Sequence, residues 1–142
     1  MHGKSHNGVS EITQSVQLAT WASQLTPDAV PEAVKVAVSE TVIDTVALSI
    51  ASTDTDYGRA IREASDTPGQ CAVFGASETR SGYDAALING TTAHGEDFDN
   101  TYEGCPVHSG VVIVPALFAA GEMYNLPAKR VALGLAAGIE VM

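Results

Sequence analysis

Between Asn89 and Pro115 the chain reads NGTTAHGEDFDNTYEGCPVHSGVVIVP, a stretch that gathers two histidines, four side-chain carboxylates, one thiol and four glycines. These are the residue types that move protons or hold metals. His94, Asp97 and Thr101 are spaced three and four apart, so on a helix all three would share one face. Asp97 and Asp99 flank Phe98, and in an extended segment those two carboxylates would share a face instead. His108 follows a Gly-Cys-Pro turn, and a chain folding back there can bring it over Asp97. An aspartate beside a histidine is a natural acid/base unit. The carboxylate orients the ring and stabilises its protonated form, and the imidazole exchanges protons near neutral pH.

Each of these residues also has a simpler role. Asp97 and Asp99 suit loop carboxylates or helix caps, His94 a half-buried hydrogen bonder, His108 a cap for the following helix, and Thr101 a turn hydroxyl. Cys105 has no cation near it in sequence to activate it and reads as an inert small residue. A calcium loop is excluded, because Asp97-x-Asp99-x-Thr101 lacks the central glycine and ends on His108 where a glutamate belongs. No HExxH or paired CxxC occurs, so no metal is expected. Nothing matches a Walker loop, a dinucleotide fingerprint or a GxSxG elbow.

The elements that must position this stretch read as helices. Residues from about Ser10 to Gln24 place Ile12, Val16 and Ala19 in one row and Leu18, Ala22 and Leu25 in the next, with Ser10 suited to cap the start and Thr26-Pro27 to stop it. A second helix is predicted from Pro31, as first helical residue, to Ala51. Its half from Thr41 onward is apolar nearly all round, which predicts burial there and a partnered, structural Asp44. A short helix is expected from Tyr57 to Ala64. CAVFG, near 71–75, reads as one extended segment without an evident partner. Ser81-Gly82-Tyr83-Asp84 resembles a capping box opening a helix through about Ala93, although Asn89-Gly90 is a turn signal inside it. Helical patterns return over 111–124 and from Pro127 to Met142. The last is still periodic where the sequence stops, so the chain reads as truncated in mid-helix.

The totals bound the class. A chain of 142 residues is one domain or part of one, and its 45% hydrophobic content is that of a folded globular protein. A net charge of −10 argues against a nucleic-acid or anionic-membrane surface, which needs clustered Lys and Arg. The polar MHGKSHNG start lacks the apolar core of a signal peptide and reads, over residues 1–9, as a disordered tail. The longest charge-free apolar run is too short to span a bilayer. Cys71 and Cys105 are far apart and match no zinc or redox spacing, as expected of reduced thiols in the cytoplasm.

The segment AALINGTTAHGEDFDNTYEGCPVHSGVVIVPALFAAGE resembles the signature of the MmgE/PrpD family, which includes 2-methylcitrate dehydratase, cis-aconitate decarboxylase and iminodisuccinate epimerase. The elements that carry the resemblance are Asn89-Gly90, Ala93-His94, Asp97-Phe98-Asp99, Thr101, and His108 followed by Pro115-Ala116. VIDTVALSIA, AVFGAS and LAAGIEVM fit the flanking family segments, so the likeness covers about residues 15–142. Two departures stand out. Asn100 replaces the second consecutive aspartate usual in the family, and the EGCPVH spacing resembles the epimerase-like and unassigned branches more than the methylcitrate dehydratases.

The resemblance implies a mainly α fold in which residues 10–142 form the first part of the family's all-helical domain, the smaller lid domain being absent. It implies a homodimer and a lyase or isomerase acting on a small di- or tricarboxylate by proton transfer next to a carboxyl group, with no cofactor. Asp97 and His108 would be catalytic, and Thr101 and His94 would bind or support the substrate, with Arg80 as a further cation for it. Groups supplied by later sequence in the family would leave this stretch inactive alone. A non-catalytic helical dimerisation domain and a metal-dependent hydrolase are the alternatives.

Overall fold

The structure, a computed structural model, describes residues 12–142. The expected tail at 1–9 and the Ser10 cap lie outside the described residues. Six α-helices follow one another: α1 (Gln14–Gln24), α2 (Glu32–Ala51), α3 (Asp56–Ala64), α4 (Gly82–His94), α5 (Ser109–Met123) and α6 (Ala128–Val141). Between α3 and α4 lies a small antiparallel pair, β1 (Cys71–Ala72) with β2 (Thr79–Arg80), in the register Cys71 to Arg80 and Ala72 to Thr79. The extended segment at 71–75 therefore does have a partner, and the loop returning from Val73 to Glu78 supplies it.

The most apolar helix, α5, lies at the centre and packs against α2, α4, α6 and β1. One core cluster joins Val38 of α2, Val114 of α5 and Leu135 of α6, with Val42, Leu117, Phe118 and Val131 packed around them. A second joins Cys71 of β1, Ala85 of α4 and Ala119 of α5. Of these, a fully buried Val114 or Leu135 contributes about 1.5–3 kcal/mol, and each alanine less. Where α2 meets α4 the contact is polar: the buried hydroxyls of Ser49 and Thr92 are hydrogen-bonded at 2.6 Å.

Two local signals resolve differently from the sequence expectation. Asn89-Gly90 does not interrupt α4. Asn89 is buried and its amide completes the small sheet instead, accepting from Phe74 N at 2.8 Å and donating to Ala72 O at 3.0 Å. Gly90 is needed for close approach. Pro115 has no N–H to offer Val111 O within α5, and the α4 backbone comes up to that carbonyl, where a Cβ at position 90 would lie 2.9 Å from it. At the start of α4, Ser81 Oγ caps Asp84 N at 3.2 Å as predicted. The Asp84 carboxylate does not close a capping box, however; it accepts from Thr67 N at 2.8 Å and ties down the preceding loop.

The second half of α2 corrects a burial prediction. Thr45 and Ser49 are buried there, whereas Ile43 is 69% and Ile50 50% exposed. Asp44 is only half-buried, so it does not need the partners that full burial would require. Pro31 stands at the N-cap of α2, one position before its expected place.

Helix α1 buries none of its residues, and Ile12, Val16, Leu18 and Trp21 are exposed. An eleven-residue helix without tertiary packing is marginal in water. Amide exchange measured on the 142-residue chain is expected to be near the unprotected rate across α1 and strongly slowed across α4 and α5. Equal protection in α1 and α5 would contradict this packing.

Candidate functional site

Helices α4 and α5 are packed neighbours joined by residues 95–108, so the end of one and the start of the other lie side by side. His94 is the last residue of α4 and His108 immediately precedes α5. Asp97 N closes the end of α4 by bonding His94 O at 2.8 Å, and Asp97 itself adopts a left-handed backbone with φ of 57°. Aspartate tolerates that conformation better than most residues. The chain then turns so that Phe98 faces outward, 77% exposed, while the Asp99 carboxylate is fully buried.

Asp99 is the hub. Its Oδ1 lies 2.9 Å from His94 Nδ1 and its Oδ2 lies 2.9 Å from His108 Nδ1. The two imidazoles meet edge to face with centroids 4.8 Å apart. Asp97 approaches from the solvent side, its Oδ1 3.7 Å from His108 Nε2 and its side chain 76% exposed. That separation is too long for a hydrogen bond and leaves both groups open to a third partner. His108 is largely enclosed and His94 half-exposed. An open groove of about 650 Å³ runs past His94 between α4 and α5, lined by Tyr57, Leu87, Thr91, Val111 and Val112 among others.

The flanks of the loop are pinned as well. Asn100 Oδ1 accepts from Gly110 N at 3.1 Å, and Asn100 Nδ2 donates to Ser109 Oγ at 3.3 Å. The start of α5 is thus capped by Asn100, whereas His108, at the cap position, makes no capping bond. An amide accepts such a bond as well as a carboxylate does, which gives Asn100 a structural reason at the position where the resemblance led one to expect aspartate. A Cβ at Gly110 would lie 2.6 Å from Asn100 Oδ1 and displace this cap. On the other side, Tyr57 Oη of α3 donates to Glu96 Oε1 at 3.0 Å.

Of the four residues expected to form a site, the structure gathers His94, Asp97 and His108. Thr101 is exposed on the loop, and α4 ends at His94, so the shared helical face imagined for His94, Asp97 and Thr101 does not form. Asp97 and Asp99 do not share a face either, since one is exposed and the other buried, yet both reach His108. Arg80 is engaged elsewhere, bonded to Ser65 O at 3.2 Å and Glu78 Oε1 at 3.4 Å. Cys105 is exposed and unpaired, while Cys71 is buried with its thiol pushed up by desolvation first and by Glu122 second.

One donor atom from each of His94, Asp97, Asp99 and His108 lies within 4.8 Å of the others, a mixed nitrogen and oxygen set that a divalent cation accepts. Both Asp99 oxygens already face imidazole Nδ1 atoms, so a cation there would meet Asp99 only through its remaining lone pairs.

Comparison with known proteins decides the family. The model of the MmgE/PrpD N-terminal domain matches residues 16–142. The chain belongs to the MmgE/PrpD family. A cis-aconitate decarboxylase-like protein of Aspergillus oryzae is 27% identical over 114 residues, covering 78% of this chain and 24% of that protein. The cis-aconitate decarboxylase of Aspergillus terreus is 25% identical over 139 residues, covering 96% of this chain and 27% of that protein. The chain thus spans about a quarter of the length of these curated relatives. No solved structure matches it. The mainly helical MmgE/PrpD architecture expected from the resemblance is the one observed. Among the described residues, no helix is long and apolar enough to cross a membrane.

Proposed function

We propose that this chain forms the proton-transfer wall of a lyase or isomerase acting on a small di- or tricarboxylate in the cytoplasm, within a homodimer. The observation that carries the reading is the open pair formed by Asp97 Oδ1 and His108 Nε2 at 3.7 Å, with His108 braced from behind by Asp99. Dehydration, decarboxylation and epimerisation can each place negative charge on a carbon beside a carboxyl group. Each then needs a positioned donor or acceptor for a proton at that carbon. His108 is the group suited to exchange that proton, and Asp97, at the solvent side of the pair, faces the same substrate atoms. Thr101, on the exposed loop, is assigned to a substrate carboxylate, and His94 to support of the cluster.

The likeness to cis-aconitate decarboxylases supports decarboxylation as one member of this reaction class. The test is a panel of di- and tricarboxylates incubated in deuterated water with a full-length relative carrying these residues, reading deuterium uptake or product by mass spectrometry. Incorporation at a carbon next to a carboxyl group, abolished when the histidine matching His108 is replaced, is the expected result. The four-ligand geometry gives a metal-dependent hydrolase as the second reading. One equivalent of tightly held metal, with turnover lost on chelation and restored by that metal, would favour it over metal-free proton transfer.

A further inference from the structure

Asp99 does not itself exchange the proton in the reaction just described, yet it is the fully buried member of the cluster and contacts both rings. An ionised carboxylate has only acceptor lone pairs. Each imidazole nitrogen at 2.9 Å from it must therefore carry the hydrogen, and in both rings that nitrogen is Nδ1. A neutral imidazole has one N–H, so Nε2 of each ring is then left as a bare lone pair.

We propose that Asp99 is a positioning residue that locks His94 and His108 together in the Nδ1–H tautomer, leaving the Nε2 atoms as the proton acceptors of the site. The arrangement differs from a single carboxylate–histidine pair, because one aspartate sets two rings. It also explains the depth of Asp99. A buried carboxylate is costly unless its lone pairs are filled by strong donors, and here both oxygens are filled by imidazole N–H groups. In His108 the consequence is chemical, since the lone pair on Nε2 faces Asp97 Oδ1 across 3.7 Å. Two acceptors face each other there, and the gap suits a donor or an acidic C–H from a ligand.

The proposal rests on the proton-transfer reading, but its readout is ring chemistry in this chain and not turnover, so the two can fail separately. Long-range proton–nitrogen correlation spectra of the nitrogen-15-labelled 142-residue chain report which ring nitrogen is protonated. They are recorded with chelator present at about pH 8, above the usual imidazole range. Single His94→Gln and His108→Gln chains assign the signals. In the wild type, both rings are expected to show a protonated Nδ1 and a bare Nε2. In Asp99→Asn, the side-chain carbonyl still accepts from one ring, but the amide N–H₂ donates to the other. One ring is therefore expected to change to the Nε2–H tautomer while the other keeps its own. A wild-type ring found as Nε2–H overturns the proposal, and so does a folded D99N chain in which both rings remain Nδ1–H. If D99N does not fold, as judged by loss of amide dispersion, the wild-type tautomers decide alone.

Discussion

Replacing the residue matching His108 with alanine in a full-length MmgE/PrpD relative is expected to lower kcat by about 10²–10⁴-fold. That corresponds to about 2.7–5.4 kcal/mol of barrier. The fold should persist, because the start of α5 is capped by Asn100 and does not depend on the imidazole. Some stability should nonetheless be lost: the buried Asp99 forfeits one of its two donors, a cost of about 1–3 kcal/mol. His108→Gln separates the two effects. Its amide N–H₂ can still donate to Asp99, so stability should largely return, but it cannot exchange a proton near neutral pH, so activity should not. Steady-state kinetics and urea titration of both variants make the comparison. Near-normal turnover in either one removes His108 from the mechanism.

Asn89→Ala is expected to destabilise this chain by about 2–6 kcal/mol, one unsatisfied-group cost for each of two lost partners, although Asn89 makes no bond to the histidine–aspartate cluster. The substitution leaves Phe74 N–H and Ala72 C=O without the side-chain partners they have now, and an unsatisfied group of this kind costs about 1–3 kcal/mol. Asn89→Asp is the sharper variant. It keeps an acceptor for Phe74 N–H but turns an oxygen toward the Ala72 carbonyl, so it too should be destabilising despite its equal size. Urea-induced unfolding followed by circular dichroism measures both. An unchanged midpoint for N89D would show that the amide is not holding the strand. If the prediction holds, the Asn-Gly of the signature is a bracket between α4 and β1, with Asn89 supporting the strand and Gly90 admitting α5.

The helices were legible because their apolar spacing and punctuation are strong: Thr26-Pro27, Ser81 and the long apolar run after His108 each mark a boundary that local physics enforces. What could not be read locally was decided by tertiary contact. The partner of β1 is a two-residue strand, too short to leave a pattern of its own. The α2 face at Ile43 and Ile50 follows the rule that apolar residues cluster, yet it stands open among the described residues. Asp97, His94 and His108 were recognisable as residue types, and their meeting requires α4 and α5 to lie side by side, which the Ala-, Gly- and Val-rich faces permit. Asp99 was the harder residue. Hydropathy places Phe98 inside and the aspartate outside, and the structure does the reverse: Phe98 is 77% exposed, while each Asp99 oxygen lies 2.9 Å from an imidazole nitrogen. Beyond its place in the family-like Asp97-Phe98-Asp99 element, its local signal is a second aspartate two residues after the first, which a loop cap would also produce.

The left-handed backbone at Asp97 bears on how the carboxylate's contribution can be isolated. Most side chains at that φ incur about 1–2 kcal/mol of steric strain, which asparagine and aspartate largely escape. An alanine there would therefore alter the loop's preferred path as well as remove the acid, and the two changes would be inseparable in a rate. Asparagine holds the same turn with a neutral head group, so the difference between wild type and D97N reports the loss of the charge and of one acceptor oxygen without a change in the loop's path. The same backbone favours asparagine and glycine as the replacements that remove the acid and leave the loop unstrained.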